Sequence, residues 1–429
     1  MAAIRASQLG LKTALVERGA VGGTCLNRGC IPTKTLLHTA NLSHMIQNSA
    51  PFGVHVSGVS VVPEEMRARK QEVVETLRKG VENLLKGNKV ELISGSAVIE
   101  GPGKVRVGEA VLEAGRVLIA TGSRPAVPPV PGLDLDGVLT SDGLLDRFEL
   151  YPRLTIIGGG VIGLEMAAYF QAMGSKGTIV EALPALGGPI EPEAASFLKD
   201  MLKKKGVEIC LGAKVTSVGP ASLTVETQQG AKTLEADKIL LAAGRRAALD
   251  GFEQLGVLVE GRAVRTDERM RTNVPGVYAA GDINGRYMLA HVAYREAEVA
   301  VNDMAGLDDR MDYRAVPGVI YTAPEVAFVG MTEAEARRQY ANVAVSKTSI
   351  NMSGRHVAEQ GISGGFCKLV ADRDKNILLG AAIAGAYASE FVYALGLMIQ
   401  NKIPMESVKK TMFPHPTVCE VVREGLFSL

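Results

Sequence analysis

Two cysteines, Cys25 and Cys30, stand with four residues between them in the run Gly22-Gly-Thr-Cys-Leu-Asn-Arg-Gly-Cys-Ile-Pro-Thr-Lys34. Thiols at that spacing, with a glycine between them, can close a small disulfide loop; two unrelated buried thiols are the other reading of the spacing alone. Pro32 suits the first turn of a helix, and an apolar run follows it. Cys30 is then expected near a helix N-terminus, where the dipole and Lys34 favour thiolate over thiol. Far along the chain, His415 lies in Phe413-Pro-His-Pro-Thr-Val-Cys-Glu420. An imidazole titrates in the range needed to take a proton from an attacking thiol. A single histidine in that place is by itself as compatible with no role at all.

A different chemistry is written in Gly158-Gly-Gly160-Val161-Ile162-Gly163, which follows an apolar run at 154–157. Between a strand and a helix such glycines let a pyrophosphate approach backbone N–H groups at the helix N-terminus. Glu181 ends the next strand, 178–181, at the distance where an acid meets the adenosine ribose. It would accept from a free 2′-hydroxyl and repel a 2′-phosphate. Residues 182–188 hold no arginine or lysine, so NAD is expected rather than NADP. A solvated strand-end carboxylate is the plainer reading of Glu181.

The elements that must position these groups need a large α/β chain. At 429 residues the chain exceeds one ordinary core, and two or three domains are expected. Apolar residues make up 47% and the formal net charge is +1, which suits a globular chain and gives no reason to expect nucleic acid or an anionic membrane as partner. The 48 glycines fit close backbone approaches to nucleotides. No apolar run approaches the ~20 residues of a membrane-spanning helix, and no signal-peptide pattern opens the chain. Five cysteines suit a reducing cytoplasm. Cys210, Cys367 and Cys419 stand apart and are expected to be buried; no spacing suggests a metal site.

Along the chain, residues 1–10 read as a helix and 11–17 as a strand ending in Glu17, the second half of a βαβ unit. A long charged helix is expected over 63–87. Short strands follow at 90–93, 97–100 and 104–107, then a buried strand at 116–122 closing on Gly122. The proline-rich stretch 125–132 reads as a connection between domains. A complete second βαβ unit starts at 154 and ends in the strand 238–244, which closes on Gly244 much as the earlier strand closes on Gly122. That likeness points to two related nucleotide-binding domains in tandem. From about residue 311 the glycine fingerprints cease and a third domain begins.

Taken together, Gly22 to Lys34, the Gly158 turn with Glu181, the segment Thr272-Asn-Val-Pro-Gly-Val-Tyr-Ala-Ala-Gly-Asp282 and the His415 segment resemble the dihydrolipoyl dehydrogenases, within the class I pyridine nucleotide-disulfide oxidoreductases. The resemblance spans essentially the whole chain. It implies an α/β fold of two Rossmann-like domains and a C-terminal α+β dimerisation domain: FAD on 1–140 and 267–311, NAD on 141–266, dimerisation on 312–429. It implies a redox disulfide in which Cys30 faces the flavin and Cys25 exchanges with substrate. Lys34 would pair with Glu165 beside the flavin, although Glu165 also reads as an ordinary first-turn glutamate. His415 and Glu420 would form a base dyad reaching the cysteines of the other subunit, so a homodimer is expected.

The same resemblance assigns FAD contacts to Glu17, Gly23, Thr24, Lys34, Ala97, Thr121, Gly122, Asp282, Met288, Leu289, Ala290 and His291, and NAD contacts to Gly158, Gly160, Val161, Ile162, Gly163, Glu181, Val215 and Gly244. His291 reads equally as a packed histidine. No terminal vicinal cysteine pair supports a mercuric reductase, and Glu181 opposes a glutathione-type one. The expected substrate is a lipoyl-bearing protein or free dihydrolipoamide. The alternatives are an NAD(P)H-dependent reductase of another small disulfide, or a truncated, flavin-poor, non-catalytic paralogue. The last arises because members of the family open with a strand and a glycine-rich turn, about 10–25 residues on usual element sizes, and residue 1 is expected to lie just beyond that turn.

Overall fold

The computed structural model describes residues 1–147 and 149–429. At its centre is a five-stranded parallel sheet in the order Glu208–Leu211, Lys176–Glu181, Arg153–Ile157, Lys238–Leu241, Val138–Thr140. Its inner strands are buried on both faces, so they read as continuous apolar runs rather than alternating ones: Ile156, Ile179, Val180 and Leu240 are all buried. The three-stranded antiparallel sheet Lys214–Val218, Ser222–Thr227, Gly230–Glu235 lies beside it. Val138–Thr140 is the edge strand of the parallel sheet, so this unit takes in residues that a seam at 140/141 leaves to its neighbour.

The helix Val161–Ala172 follows the glycine turn and is apolar almost all round, because it is covered twice. One side packs on the parallel sheet. The other packs against the helix Cys30–Gln47, whose Leu36, Leu37 and Ala40 share a core with Leu164 and Phe170. Burial at Thr33, Leu36, Leu37 and Ala40 follows the three-to-four-residue helical period. Cutting Leu36 back to alanine would cost about 2–5 kcal/mol. This helix-on-helix contact sets the thiol helix against the nucleotide unit.

The N-terminal unit contains two parallel strand pairs that do not hydrogen-bond to each other: Ala14–Glu17 with Glu91–Ser94, and Val117–Ile119 with Val277–Ala279. The long charged helix spans Pro63–Gly87, with Pro63 opening it and Glu64 and Glu65 in its first turn. Helix Ala2–Gln8 packs on Ala290–Met304 through Ala6, Val299 and Ala300. The proline-rich connection 125–132 begins at the end of a strand: Ser123–Pro125 pairs antiparallel with Arg245–Ala247, so the two crossovers between units run side by side.

The C-terminal unit is a five-stranded antiparallel sheet, Pro317–Ile320, Glu325–Gly330, Ile377–Gly385, Phe366–Asp372, Val343–Ser349. Helices Ala388–Gln400 and Glu420–Phe427 share its core. It is joined to the middle unit by buried Lys368, which meets Glu191 at 3.0 Å, Glu193 at 2.8 Å and Glu333 at 2.8 Å. Among the described residues no helix is long and apolar enough to cross a membrane.

Candidate active site

Cys25 lies in the short helix Gly23–Arg28, and Cys30 is the first residue of Cys30–Gln47. The intervening Gly29 has a local reason: a Cβ there would lie 3.0 Å from Thr24 O and 3.3 Å from Cys25 Cα. A side chain would have to displace backbone to let the second helix start against the first cysteine. Asn27 staples the segment by donating to Val21 O at 2.9 Å and Gly23 O at 3.0 Å. Both thiols are free and half-buried. The Cys25 thiol donates to Cys30, and that bond, helped by the Lys34 charge against the opposing effect of burial, brings Cys30 down to about 7. The same bond, with burial, pushes Cys25 far above the ordinary thiol range. One charge is therefore shared unequally, and it rests on the sulfur at the helix tip.

Lys34, one helical turn on, reaches across to the second helix. Its Nζ donates to both carboxylate oxygens of Glu165, at 3.0 and 2.8 Å, and lies 4.5 Å from the centroid of the Tyr321 ring. Glu165 also accepts from Tyr321 N at 3.1 Å. The carboxylate is thus buried with three hydrogen bonds from two donors and one full counter-charge, as a buried ion requires. Tyr321, from the third unit, escaped sequence reasoning because nothing local marks it. Tyr294 did too; its phenol is raised chiefly by desolvation, with the charge of both cysteines adding.

The glycine turn has the geometry that a dinucleotide needs. At Gly158, φ is +112°, and a Cβ there would lie 2.3 Å from Ala242 O; one at Gly163 would lie 2.0 Å from Gly158 O. Those two glycines bring turn, sheet and helix together. Gly160 differs: nothing lies within 4 Å of a Cβ there. It is the N-cap of Val161–Ala172, and no side chain caps that helix, so its first backbone N–H groups are not taken up by a side-chain cap. Glu181 Oε2 accepts from Gly159 N at 2.6 Å and Oε1 from Leu183 N at 2.7 Å. The carboxylate is held at the mouth of the turn as an acceptor. Gly244 is exposed with φ +99° and open space around it, whereas Val215 is buried among Val225 and Leu241. The glycine turn, Glu181 and Gly244 fit a pyridine nucleotide.

The flavin segments are more dispersed. Glu17 ends its strand and accepts from Gly19 N at 2.9 Å. Gly23 and Gly122 hold φ of +68° and +71° with no atom within 4 Å of a Cβ. Thr121 Oγ1 donates to Ala248 O at 2.7 Å, and Ala97 sits where Gly251 comes close to its carbonyl. Asp282 follows Gly281 at the end of Val277–Ala279, and Ser123 Oγ donates to its Oδ2 at 2.5 Å. Met288, Leu289 and Ala290 lead into Ala290–Met304, whose N-terminus likewise lacks a side-chain cap. His291 Nε2 lies 2.9 Å from Pro317 O and donates to it. Open glycines and an uncapped helix start supply backbone donors, and the oriented aspartate an acceptor, that a flavin nucleotide would use.

His415 Nδ1 lies 2.8 Å from Glu420 Oε1, and Glu420 Oε2 accepts from Thr417 N at 2.9 Å. The Thr417 N–H first, then His415, holds the Glu420 carboxyl below its ordinary range. Among the described residues no hydrogen bond joins this dyad to either redox cysteine of the same chain. Of the three solitary cysteines only Cys367 is fully buried, inside a strand covered on both faces; Cys210 and Cys419 are half-buried near sheet and helix edges. Among the described residues no group of three or more His, Cys, Asp or Glu side chains is placed to hold a metal ion.

The model of the pyridine nucleotide-disulphide oxidoreductases matches residues 1–297, and that of their dimerisation domain residues 316–425. A dihydrolipoyl dehydrogenase of Chlamydia muridarum is 38% identical over 433 residues, covering 99% of this chain and 93% of the relative. One from Bacillus subtilis is 38% identical over 453 residues, covering 100% and 95%. Among solved structures, the HOCl-induced flavoprotein disulfide reductase RclA from Escherichia coli, as its Cu(II) complex, superposes with TM-score 0.86 at 30% identity, covering 100% of this chain and 96% of that one. LpdA from Mycobacterium tuberculosis has TM-score 0.90 at 23% identity, covering 100% and 97%, a likeness of fold. With both models matched and such relatives alike over nearly its whole length, the chain belongs to the pyridine nucleotide-disulphide oxidoreductase family, flavin-dependent disulfide oxidoreductases whose cofactors are FAD and NAD(H).

Proposed function

We propose that the chain is a dihydrolipoyl dehydrogenase, acting as a homodimer on free or protein-bound dihydrolipoyl groups with NAD as acceptor. The observation that carries the reading is the placing of the thiol pair: Cys25 in the short helix Gly23–Arg28 bonds to Cys30 at the start of Cys30–Gln47, one turn from Lys34 in its pair with Glu165, and the bond from Cys25 with the Lys34 charge lowers Cys30. In disulfide exchange the thiol of lower pKa leaves faster. A dihydrolipoyl thiolate therefore attacks Cys25, the bond between the two cysteines breaks, and Cys30 departs as thiolate beside Lys34. The second substrate thiol then attacks the mixed disulfide, and Cys25 leaves with a proton. The substrate dithiol has become a disulfide, and the cysteine pair holds two electrons and one proton.

Each proton needs a base. His415, oriented by Glu420 through Nδ1, takes protons at Nε2. We place it on the second copy, in keeping with the lack, among the described residues, of a hydrogen bond between this dyad and the cysteines of its own chain. When bound, FAD carries the electron pair from the cysteines to NAD. Around it, Lys34 and Glu165 keep a fixed charge beside the Cys30 thiolate, and the Gly158 turn with Glu181 holds the nucleotide, favouring a free ribose hydroxyl. Sparse cysteines suit a reducing cytoplasm.

The test is turnover of dihydrolipoamide and NAD by the flavin-loaded chain, read as NADH absorbance. Substantial turnover lost in Cys25→Ser and Cys30→Ser is expected. The second reading, reduction of another small disulfide at the expense of NADH, is favoured by the likeness to the reductase RclA. It replaces the first if the loaded chain ignores dihydrolipoamide but oxidises NADH with a different disulfide.

A further inference from the structure

Asp282 does not owe its aim to its own strand. Its Oδ2 accepts from Ser123 Oγ at 2.5 Å, and that hydroxyl accepts from Arg245 Nε at 2.7 Å. A second guanidinium nitrogen donates to Ser123 O at 2.9 Å, so the planar fork grips side chain and backbone of one residue. The direction of the relay follows from the groups. Arg245 can only donate, so the one hydroxyl proton of Ser123 is left for the carboxylate. Ser123 is buried, and the Arg245 side chain is 13% exposed. Water therefore does not compete strongly for either bond.

The backbone beneath Asp282 is fixed separately. Glu296, with no exposed surface, accepts from Gly281 N at 2.7 Å, Asn284 Nδ2 at 2.8 Å and Tyr313 Oη at 2.6 Å. The turn is thus pinned from inside the molecule, and the carboxylate is turned from the crossover side. Both crossover strands contribute, Ser123–Pro125 leaving the N-terminal unit and Arg245–Ala247 returning to it.

We infer that Ser123 and Arg245 are positioning residues for flavin binding, which aim the Asp282 carboxylate at the hydroxyls of the flavin's sugar-like chain. This rests on the proposed function with its bound FAD, and on the flavin contact that the family resemblance implies for Asp282. With Oδ2 occupied by Ser123, Oδ1 is the oxygen left to accept from a hydroxyl.

The experiment is a double-variant cycle on FAD affinity, with FAD titrated into the flavin-stripped full chain and binding read from quenching of flavin fluorescence. Ser123→Ala is expected to weaken binding about ten- to a hundred-fold, the range for a lost hydrogen bond to a charged group. Asp282→Asn is expected to weaken it at least as much. If Ser123 acts through Asp282, the double variant is no weaker than Asp282→Asn alone. Arg245→Lys keeps the charge, loses the fork and should fall between wild type and Ser123→Ala. Additive losses in the double variant, or an unchanged Ser123→Ala, would overturn the relay. An Asp282→Asn chain that binds FAD as tightly as wild type would instead overturn the flavin role of Asp282, and the relay with it.

Discussion

Lys34 and Glu165 meet inside one chain, at side-chain exposures of 32% and 4%, with two bonds between them and a third from Tyr321 N. His415 and Glu420 meet at the surface, at 78% and 22%, five residues apart on the same loop and helix start. The first pair is complete: three elements close around it and its charges are balanced where they stand. The second holds its geometry by a local turn but offers the imidazole outward. The contrast shows how labour is divided around the cysteines. A fixed charge that must sit beside a thiolate can be buried at some cost in desolvation. A base that must meet substrate has to remain open until a second surface arrives.

The largest expected effect breaks that contrast directly. His415→Gln should lower dihydrolipoamide turnover by about 10²–10⁴-fold, the contribution of a general base. Mixing subunits of His415→Gln and Cys25→Ser, each nearly inactive, then decides where the base acts. In a two-fold symmetric dimer of random pairing, half the dimers are mixed and each has one intact composite site, so about a quarter of wild-type activity should return. If His415 serves its own chain, mixing restores nothing.

A smaller effect, still of an order of magnitude, concerns the thiol that Lys34 adjoins. The thiolate of Cys30 forms as pH rises through about 7, so in the reduced protein its alkylation should fall about tenfold per pH unit below that point and level off above it. Cys25 is held up first by its bond to Cys30. In Cys30→Ser that cause is weakened, and the alkylation midpoint of Cys25 should drop from far above the ordinary range towards it. Iodoacetamide labelling followed by mass spectrometry measures both; a Cys25 midpoint that stays high would show that burial, not the neighbouring thiol, controls it.

How far these sites were legible beforehand follows the same division between local and distant. The thiol at the tip of a helix, the long helix beginning at Pro63, the glycine turn and the His415 turn are encoded within a few residues, where proline, glycine and spacing carry the information. Tyr321, 156 residues from Glu165, and Arg245, 122 from Ser123, are brought in by packing of whole units, about which periodicity is silent. The proline-rich stretch 125–132 reads as a linker because proline breaks helices, yet its first residue, Pro125, ends a paired strand, since an extended backbone at a sheet edge tolerates proline. The edge strand Val138–Thr140 was hidden for a related reason: three residues are too few to show a pattern.

The smallest effects compare the pairs as structure. Glu165→Gln leaves Lys34 with the Tyr321 ring and an amide, and the chain should lose about 1–3 kcal/mol, below the 3–5 of a fully buried broken pair because Lys34 keeps a third of its side chain in water. Flavin reduction by NADH should also slow, roughly tenfold, less than for a removed transition-state donor. Glu420→Gln breaks a pair whose imidazole is exposed and should cost about 0.5 kcal/mol or less. The Glu420 carboxyl is held low in the folded chain, so its contribution is present above the unfolded carboxyl range and fades only as pH falls through the depressed folded value. Between pH 6 and 8 the Glu420→Gln penalty should therefore be flat in urea unfolding, while turnover in the same variant falls at least tenfold as the ring loses its orienting partner. A Glu420→Gln chain destabilised as much as Glu165→Gln would mean that the dyad is a structural clamp like the buried pair, and the division of labour drawn from their exposure would fail.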